Sequence, residues 1–207
     1  SFPEVAPGLI DRYLVACTSA DIPALLVLNK MDLVKENDPI LTLVEEYKNL
    51  GYEILLTQSD GDLTELAQRL AGETVAFVGQ SGVGKSSLIN TIIPDAAQKT
   101  NVISENSALG QHTTTSTRLI AFGENAALID SPGIREFGLW HLNIENVQNG
   151  FPEIFNLLGY CQFRNCTHKH EKQCALRQAA SAGEILPRRL ESYLRLIDEI
   201  AEAQQKN

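Results

Sequence analysis

The 207-residue sequence predicts an α/β fold, a mainly parallel sheet with flanking helices, followed by a small helical metal-binding module. Three observations carry this. Through the first 150 residues, short apolar runs alternate with segments of helical period, the pattern of strands joined by crossover helices. One such run, Val75–Val78, leads into Gly79-Gln80-Ser81-Gly82-Val83-Gly84-Lys85-Ser86-Ser87 and then the apolar-periodic Leu88–Ile93, which reads as strand, glycine-rich loop and helix. Finally, Cys161, Cys166 and Cys174 fall within fourteen residues, a clustering that suits metal ligation before disulfides in a reducing compartment.

Composition narrows the function classes. Hydrophobic residues make up 43% of the chain, enough for a real core. No apolar run approaches the roughly 18 residues that cross a bilayer, and no signal-peptide pattern opens the sequence, so a soluble, cytoplasmic protein is expected. The net charge of −9 is uneven: residues 1–150 hold 9 Lys/Arg against 19 Asp/Glu, whereas residues 151–207 hold 8 against 7. That balance argues against non-specific wrapping of nucleic acid, which needs many neutralised phosphates. Any RNA contact must come from a local patch.

Taken in order, Leu9, Ile10, Tyr13 and Leu14 recur at helical spacing and predict a helix over Gly8–Thr18. Ala24–Leu28 is a continuous apolar run, the mark of a buried parallel strand. It ends in Asn29-Lys30-Met31-Asp32, an N-K-x-D at the carboxyl end of a strand, where open α/β sheets bind ligands. The chemistry suits guanine: Asp32 can accept from N1–H and the 2-amino group together, Asn29 can address the O6/N7 side, and the Lys30 stem can lie over the ring. Leu41–Leu50 reads as a helix and Tyr52–Thr57 as a strand. For Thr57-Gln58-Ser59, a backbone N–H offered by Gln58 or Ser59 to guanine O6 and an ordinary turn are equally good readings. A helix over Asp62–Leu70 follows.

Gly79–Ser87 fits G-x-x-x-x-G-K-[ST] at every fixed position. The glycines let successive N–H groups converge on β- and γ-phosphates at a helix N-terminus, Lys85 supplies a point charge and Ser86 a hydroxyl for Mg²⁺. Pro94 stops the helix. Residues 95–116 have little apolar periodicity and end in Gly110-Gln111-His112-Thr113-Thr114-Thr115-Ser116. A threonine hydroxyl here, Thr114 first and Thr113 next, can complete the Mg²⁺ shell when a γ-phosphate is present and release it afterwards. Leu119–Phe122 and Ala126–Ile129 read as a hairpin that delivers Asp130-Ser131-Pro132-Gly133. Asp130 suits a carboxylate holding Mg²⁺ through water, and the Gly133 N–H suits the γ-phosphate. The next residue is Ile134, which cannot orient water; His112 is a candidate for that role, with a plain polar loop residue as the competing reading.

The base-reading motif precedes the phosphate loop, the order of a circularly permuted P-loop GTPase domain. Together with Gly110–Thr115, Asp130–Trp140 and the cysteine cluster, this order resembles the ribosome small subunit-dependent GTPase A (RsgA) family along essentially the whole chain. The resemblance implies binding of GTP and GDP with Mg²⁺, and hydrolysis stimulated by the small ribosomal subunit, whose rRNA would be a partner, late in its assembly. It implies an N-terminal OB-fold, absent before Ser1, then a permuted GTPase domain (1–145) and a zinc domain (146–207). A monomer with no membrane contact is expected. Cys161, Cys166, His168 and Cys174 form C-x₄-C-x-H-x₅-C, a closed structural Zn²⁺ set; His170 rivals His168, and the family pattern favours His168. Zinc is expected to compensate for a thin apolar core over Phe151–Gln178. From Pro187 a long helix carries Leu190, Tyr193, Leu194, Ile197 and Ala201 on one face, with Arg188, Arg189 and Arg195 as a solvated face or as contacts to rRNA phosphates.

Overall fold

The computed structural model describes residues 3–58, 61–93, 118–130 and 142–205, and it is an α/β protein of two compact units. The first unit lies between Leu25 and Asp130. Strand β1 (Leu25–Leu28) leads through a one-turn 3₁₀ helix (Met31–Leu33) to α2 (Pro39–Asn49), β2 (Glu53–Leu56), α3 (Thr64–Leu70), β3 (Thr74–Ala76) and α4 (Lys85–Ile92). β4 (Arg118–Phe122) and β5 (Ala126–Asp130) complete it, the hairpin between them turning at Gly123 and Asn125. The second unit combines Ala6–Ala24, which holds α1 (Pro7–Ser19), with α5 (Ile144–Asn149), α6 (Pro152–Phe155), α7 (Ala175–Ala182) and α8 (Pro187–Gln205).

In the first unit β1 pairs in parallel with β2, and β3 in parallel with β5, while β4 runs antiparallel to β5. Two of the three pairings are therefore parallel, as the alternation of runs and helices required. Leu55, Leu63, Leu66, Leu70 and Leu88 form one core beneath these strands; Ile93, Ile120 and Leu128 form a second. Val75, Phe77, Ile92 and Phe122 pack against both. Asp38 caps α2 by accepting from the Ile40 N–H at 3.0 Å, with Pro39 in the first turn where its missing N–H costs nothing.

The second unit divides the chain differently from the chain-order boundary near residue 145, because α1 buries Leu14, Val15 and Ala16 among the C-terminal helices. Gly150, the C-cap of α5, allows this approach: a Cβ there would lie 2.8 Å from the Val15 backbone. Val147, Phe151, Ile154, Leu176, Ile185, Leu196 and Ile200 fill the same core, which Cys174 joins and against which Cys161 and Cys166 pack. The expected thin core over Phe151–Gln178 is thus supplemented from α1 and α8, which local sequence could not reveal. Among the predicted surface arginines of α8, Arg189 is fully buried. Its guanidinium donates to Asp11 at 2.8 Å and to Glu153 at 2.7 Å, and stacks 4.2 Å from the Phe151 ring centroid. Burial works against its charge, yet the two carboxylates raise its pKa above the ordinary value. No helix of the described residues is long and apolar enough to cross a membrane.

Arg189→Met would leave the buried Asp11 carboxylate with only the more distant Arg188 at 3.9 Å, and the half-buried Glu153 without its cation. We expect a loss of about 3–5 kcal/mol in the stability of this unit, seen as a lower urea midpoint.

Candidate functional site

Strand ends bring the sequence-predicted nucleotide residues together. Thr57 N–H donates to Leu28 O at 2.8 Å and Met31 N–H to Thr57 O at 3.0 Å, which stitches the loop after β1 to the loop after β2. Asn29, at the end of β1, is buried. Its Nδ2 donates to Val83 O at 3.1 Å and its Oδ1 accepts from Thr57 Oγ1 at 3.1 Å. One N–H and one oxygen lone pair of the carboxamide are therefore used in holding loops; the sequence suggests a further contact from this side chain to the O6/N7 side of a base. Lys30 follows in the left-handed region (φ 65°), a conformation uncommon for a residue with a Cβ, and its ammonium donates to Gly82 O at 2.5 Å. Asp32 sits in the 3₁₀ turn with its carboxylate exposed. Gln58 is exposed at the end of the β2 loop, its carbonyl accepting from the Gly61 N–H.

The phosphate loop curls over the start of α4. Gly84 (φ 98°) is the N-cap, and a Cβ there would lie 2.3 Å from Asn29 Nδ2, so conformation and space both demand glycine. Lys85 Nζ donates to Gly79 O and Gln80 O, each at 2.7 Å, folding its charge over the loop it serves. Ser86 and Ser87 lie in the first turn of α4, and Ser81 and Gly82 at the loop tip. Backbone segments thus meet around a helix N-terminus with a lysine inside, an arrangement built for a polyphosphate. Ser59, His112, Thr113, Thr114 and Gly133 lie outside the described residues, as does the Asp130 side chain; the Asp130 backbone ends β5.

In the helical unit Cys161, Cys166, His168 and Cys174 each direct one donor atom to a common point, all within 4.8 Å of one another. His168 Nδ1 lies 3.4 Å from Cys161 Sγ and 3.3 Å from Cys174 Sγ, and the two sulfurs are 3.9 Å apart. A tetrahedron with Zn–S of about 2.3 Å and Zn–N of about 2.0 Å has edges near 3.5–3.8 Å, so the donor set fits zinc. His170 is not part of the cluster. Sequence spacing did not reveal the supports. Cys161 Sγ accepts from the Ala175 N–H at 3.3 Å, and Cys174 is the N-cap of α7. Glu171 accepts from the Thr167 N–H (2.8 Å), the Thr167 hydroxyl (2.7 Å) and the His170 N–H (3.1 Å), bracing the turn in which His168 adopts φ 63°. Those bonds, the Thr167 backbone first, hold the Glu171 carboxyl down to about 2. Because the folded-state value is depressed, this brace persists above the unfolded carboxyl range and is lost only as pH falls towards 2. Burial keeps His168 below its ordinary value, neutral and able to ligate, and pushes the Cys166 thiol up to about 12.

The fold and loop geometry are those of a P-loop GTPase-like α/β unit, and the helical unit carries a Cys₃His cluster that could hold a metal ion. The RsgA GTPase family model matches residues 1–140, and the chain belongs to that family. It is 47% identical over 208 residues to the small ribosomal subunit biogenesis GTPase RsgA of Histophilus somni (strain 2336), covering 99% of this chain and 59% of that protein. Identity to the protein of the same description from Actinobacillus pleuropneumoniae serotype 5b (strain L20) is 48% over 200 residues, covering 95% of this chain and 58% of that protein. The chain therefore spans just under three fifths of these relatives. YjeQ from Thermotoga maritima matches in structure with a TM-score of 0.76 at 31% identity, over 97% of this chain and 68% of that one. YloQ, described as a circularly permuted GTPase, matches with a TM-score of 0.72 at 32% identity, over 97% and 64%.

Two outcomes follow. Asn29→Ala removes the link between the base-side loops and the phosphate loop, and should weaken binding of a fluorescent GDP analogue about tenfold or more, with the fold kept by circular dichroism. Zinc must displace thiol protons, so calorimetry in buffers of different ionisation enthalpy should show about two to three protons released per zinc, and affinity should fall as pH falls.

Proposed function

We propose that this chain is the catalytic part of a GTP phosphohydrolase that acts as a switch in late maturation of the small (30S) ribosomal subunit, its turnover stimulated by that subunit. The observation that carries the nucleotide reading is Asn29, whose carboxamide ties the N-K-x-D turn to Val83 of the phosphate loop and to Thr57. The description printed for the two bacterial relatives supports the choice of subunit. The nucleotide chemistry belongs to the GTPase domain expected over 1–145, apart from α1, and the zinc module to the C-terminal domain expected over 146–207, with rRNA of the small subunit as the contact. The protein acts as a cytoplasmic monomer.

Asp32 accepts from N1–H and the 2-amino group of guanine, and the Lys30 stem covers the ring. Backbone N–H groups of Gln58 and Ser59 face O6. The run Gly79–Ser87 encloses the α-, β- and γ-phosphates, with Lys85 turned from its own carbonyls to the β- and γ-oxygens. Ser86, Thr114 and, through water, Asp130 hold Mg²⁺, which when bound neutralises charge on the β- and γ-phosphate oxygens. Water adds to the γ-phosphorus as the bond to the β–γ bridging oxygen breaks, leaving GDP and inorganic phosphate. Ile134 stands where a water-orienting side chain is needed, and His112 takes that task. The Gly133 N–H reports the γ-phosphate, which makes the Asp130–Phe137 segment a switch. The four zinc ligands fill a tetrahedron and leave no open position, so the metal is structural.

Turnover measured alone should be slow, of order 10⁻³ s⁻¹, and rise by at least about 10² with purified small subunits but not with large ones. ATP should not be cleaved at a comparable rate. Asp32→Asn keeps an acceptor for N1–H but sets an NH₂ against the 2-amino group, and should lower GTP affinity about 100-fold or more while favouring a 2-oxo purine nucleotide.

A further inference from the structure

The turn between β2 and α3 is fixed at both ends. On its near side Thr57 is buried, with its N–H bonded to Leu28 O at 2.8 Å and its carbonyl accepting from the Met31 N–H at 3.0 Å. The Thr57 hydroxyl donates to Asn29 Oδ1 at 3.1 Å. On its far side the Asp62 carboxylate accepts from the Thr64 N–H at 2.8 Å, and Leu63 is buried in the core that holds Leu55 and Leu66. Between these anchors the Gly61 N–H donates to Gln58 O at 3.0 Å and closes the turn.

One donor in this frame is left over. The Gln58 N–H has no acceptor among the described residues. It shares a planar, trans peptide unit with the Thr57 carbonyl, so while that carbonyl faces Met31 the N–H points the opposite way. How accurately it points depends on how the Gln58 Cα is held from behind. A Cβ on residue 61 would lie 2.6 Å from Gln58 Cγ and 3.3 Å from Gln58 O, so the glycine leaves the space that the glutamine stem fills. Gly61 is not in the left-handed region, so its backbone would accept alanine and the contact alone requires glycine. Motion of the glutamine tip cannot relieve the overlap, because Cγ is only two bonds from the main chain. With the carbonyl also close, the turn itself has to give.

We propose that Gly61 is a positioning residue for base recognition: by making room for the Gln58 stem it holds the turn closed and keeps the Gln58 N–H aimed at the 6-oxo group of guanine. This rests on the nucleotide reading above and deepens it, since recognition at position 6 then depends on one packing contact between Gly61 and the Gln58 side chain.

The test uses the whole zinc-loaded chain and a ribose-labelled fluorescent GDP analogue, displaced by GDP or by 6-thio-GDP. Sulfur at position 6 keeps N1–H and the 2-amino group for Asp32 and weakens only the acceptor that Gln58 would meet. Wild type should prefer GDP by about threefold to tenfold, the worth of one neutral hydrogen bond. Gly61→Ala should lose GDP affinity by about the same factor while binding 6-thio-GDP as wild type does, so that the preference disappears. In a Gln58→Ala background, where Cγ is gone, the loss caused by Gly61→Ala should shrink to about twofold or less. Circular dichroism and zinc content, measured on every variant, should match wild type. A wild-type chain that binds no GDP would overturn the nucleotide reading itself. Equal binding of GDP and 6-thio-GDP by wild type would overturn this proposal and leave that reading standing. So would a Gly61→Ala chain that keeps the full preference, or whose loss persists with Gln58→Ala. Equal weakening of both ligands by Gly61→Ala would also overturn it, and would make the glycine a matter of loop stability alone.

Discussion

One buried carboxamide constrains the nucleotide-binding unit. Asn29 donates to Val83 and accepts from Thr57, residues 54 and 28 positions away. Without it the loop after β1, the loop after β2 and the glycine-rich loop have no shared side-chain anchor among the described residues. Lys30 adds a second strap to Gly82, and the position of Gly84 keeps open the space that Asn29 occupies. The geometry is indifferent to the order in which the chain visits these loops. That is why a base-reading motif can stand ahead of the phosphate loop and still face it: hydrogen bonds depend on position in space, while permutation changes only connectivity.

The zinc cluster rests on a comparable economy of support. Three sulfurs and one imidazole nitrogen converge because the turn at 167–171 is closed on the Glu171 carboxylate, and because Cys174 caps a helix whose first N–H, that of Ala175, bonds Cys161 Sγ. The cluster is not an isolated staple on a core-poor segment. Cys174 is fully buried in a core that also takes in Val15 and Ala16 from α1 and Leu196 and Ile200 from α8. The Cys₃His donor set and the apolar packing belong to the same unit.

The parts that were legible in the sequence are those whose chemistry is local. The glycine loop, the N-K-x-D turn and the cysteine spacing each place donor groups within a few residues, so spacing alone carries their geometry. Helix α8 and the hairpin β4–β5 were legible because periodicity and turn residues act over short range. Three features were not. Asn29 reads as a base contact, and nothing local says that it also bonds Val83 and Thr57. Arg189 reads as a surface charge because its carboxylates come from α1 and α6. For α1, an amphipathic pattern states that a face is buried but not against which partner, and its core neighbours lie on helices more than a hundred residues later.

The pairing of Asp11 with Arg189 spans 178 residues and encloses every strand of the nucleotide-binding unit. That unit is in effect an insert within the helical one. During synthesis α1 emerges ahead of the nucleotide-binding strands, yet the surface it must cover does not exist until α8 has been made. Residues Leu25 onwards can collapse on their own core in the meantime, since domains generally fold as units as they appear. A folded insert also brings its two ends together, and this shortens the effective loop that the later docking of α1 must close. Assembly of the helical unit thereby becomes a late event that reports completion of everything between its halves.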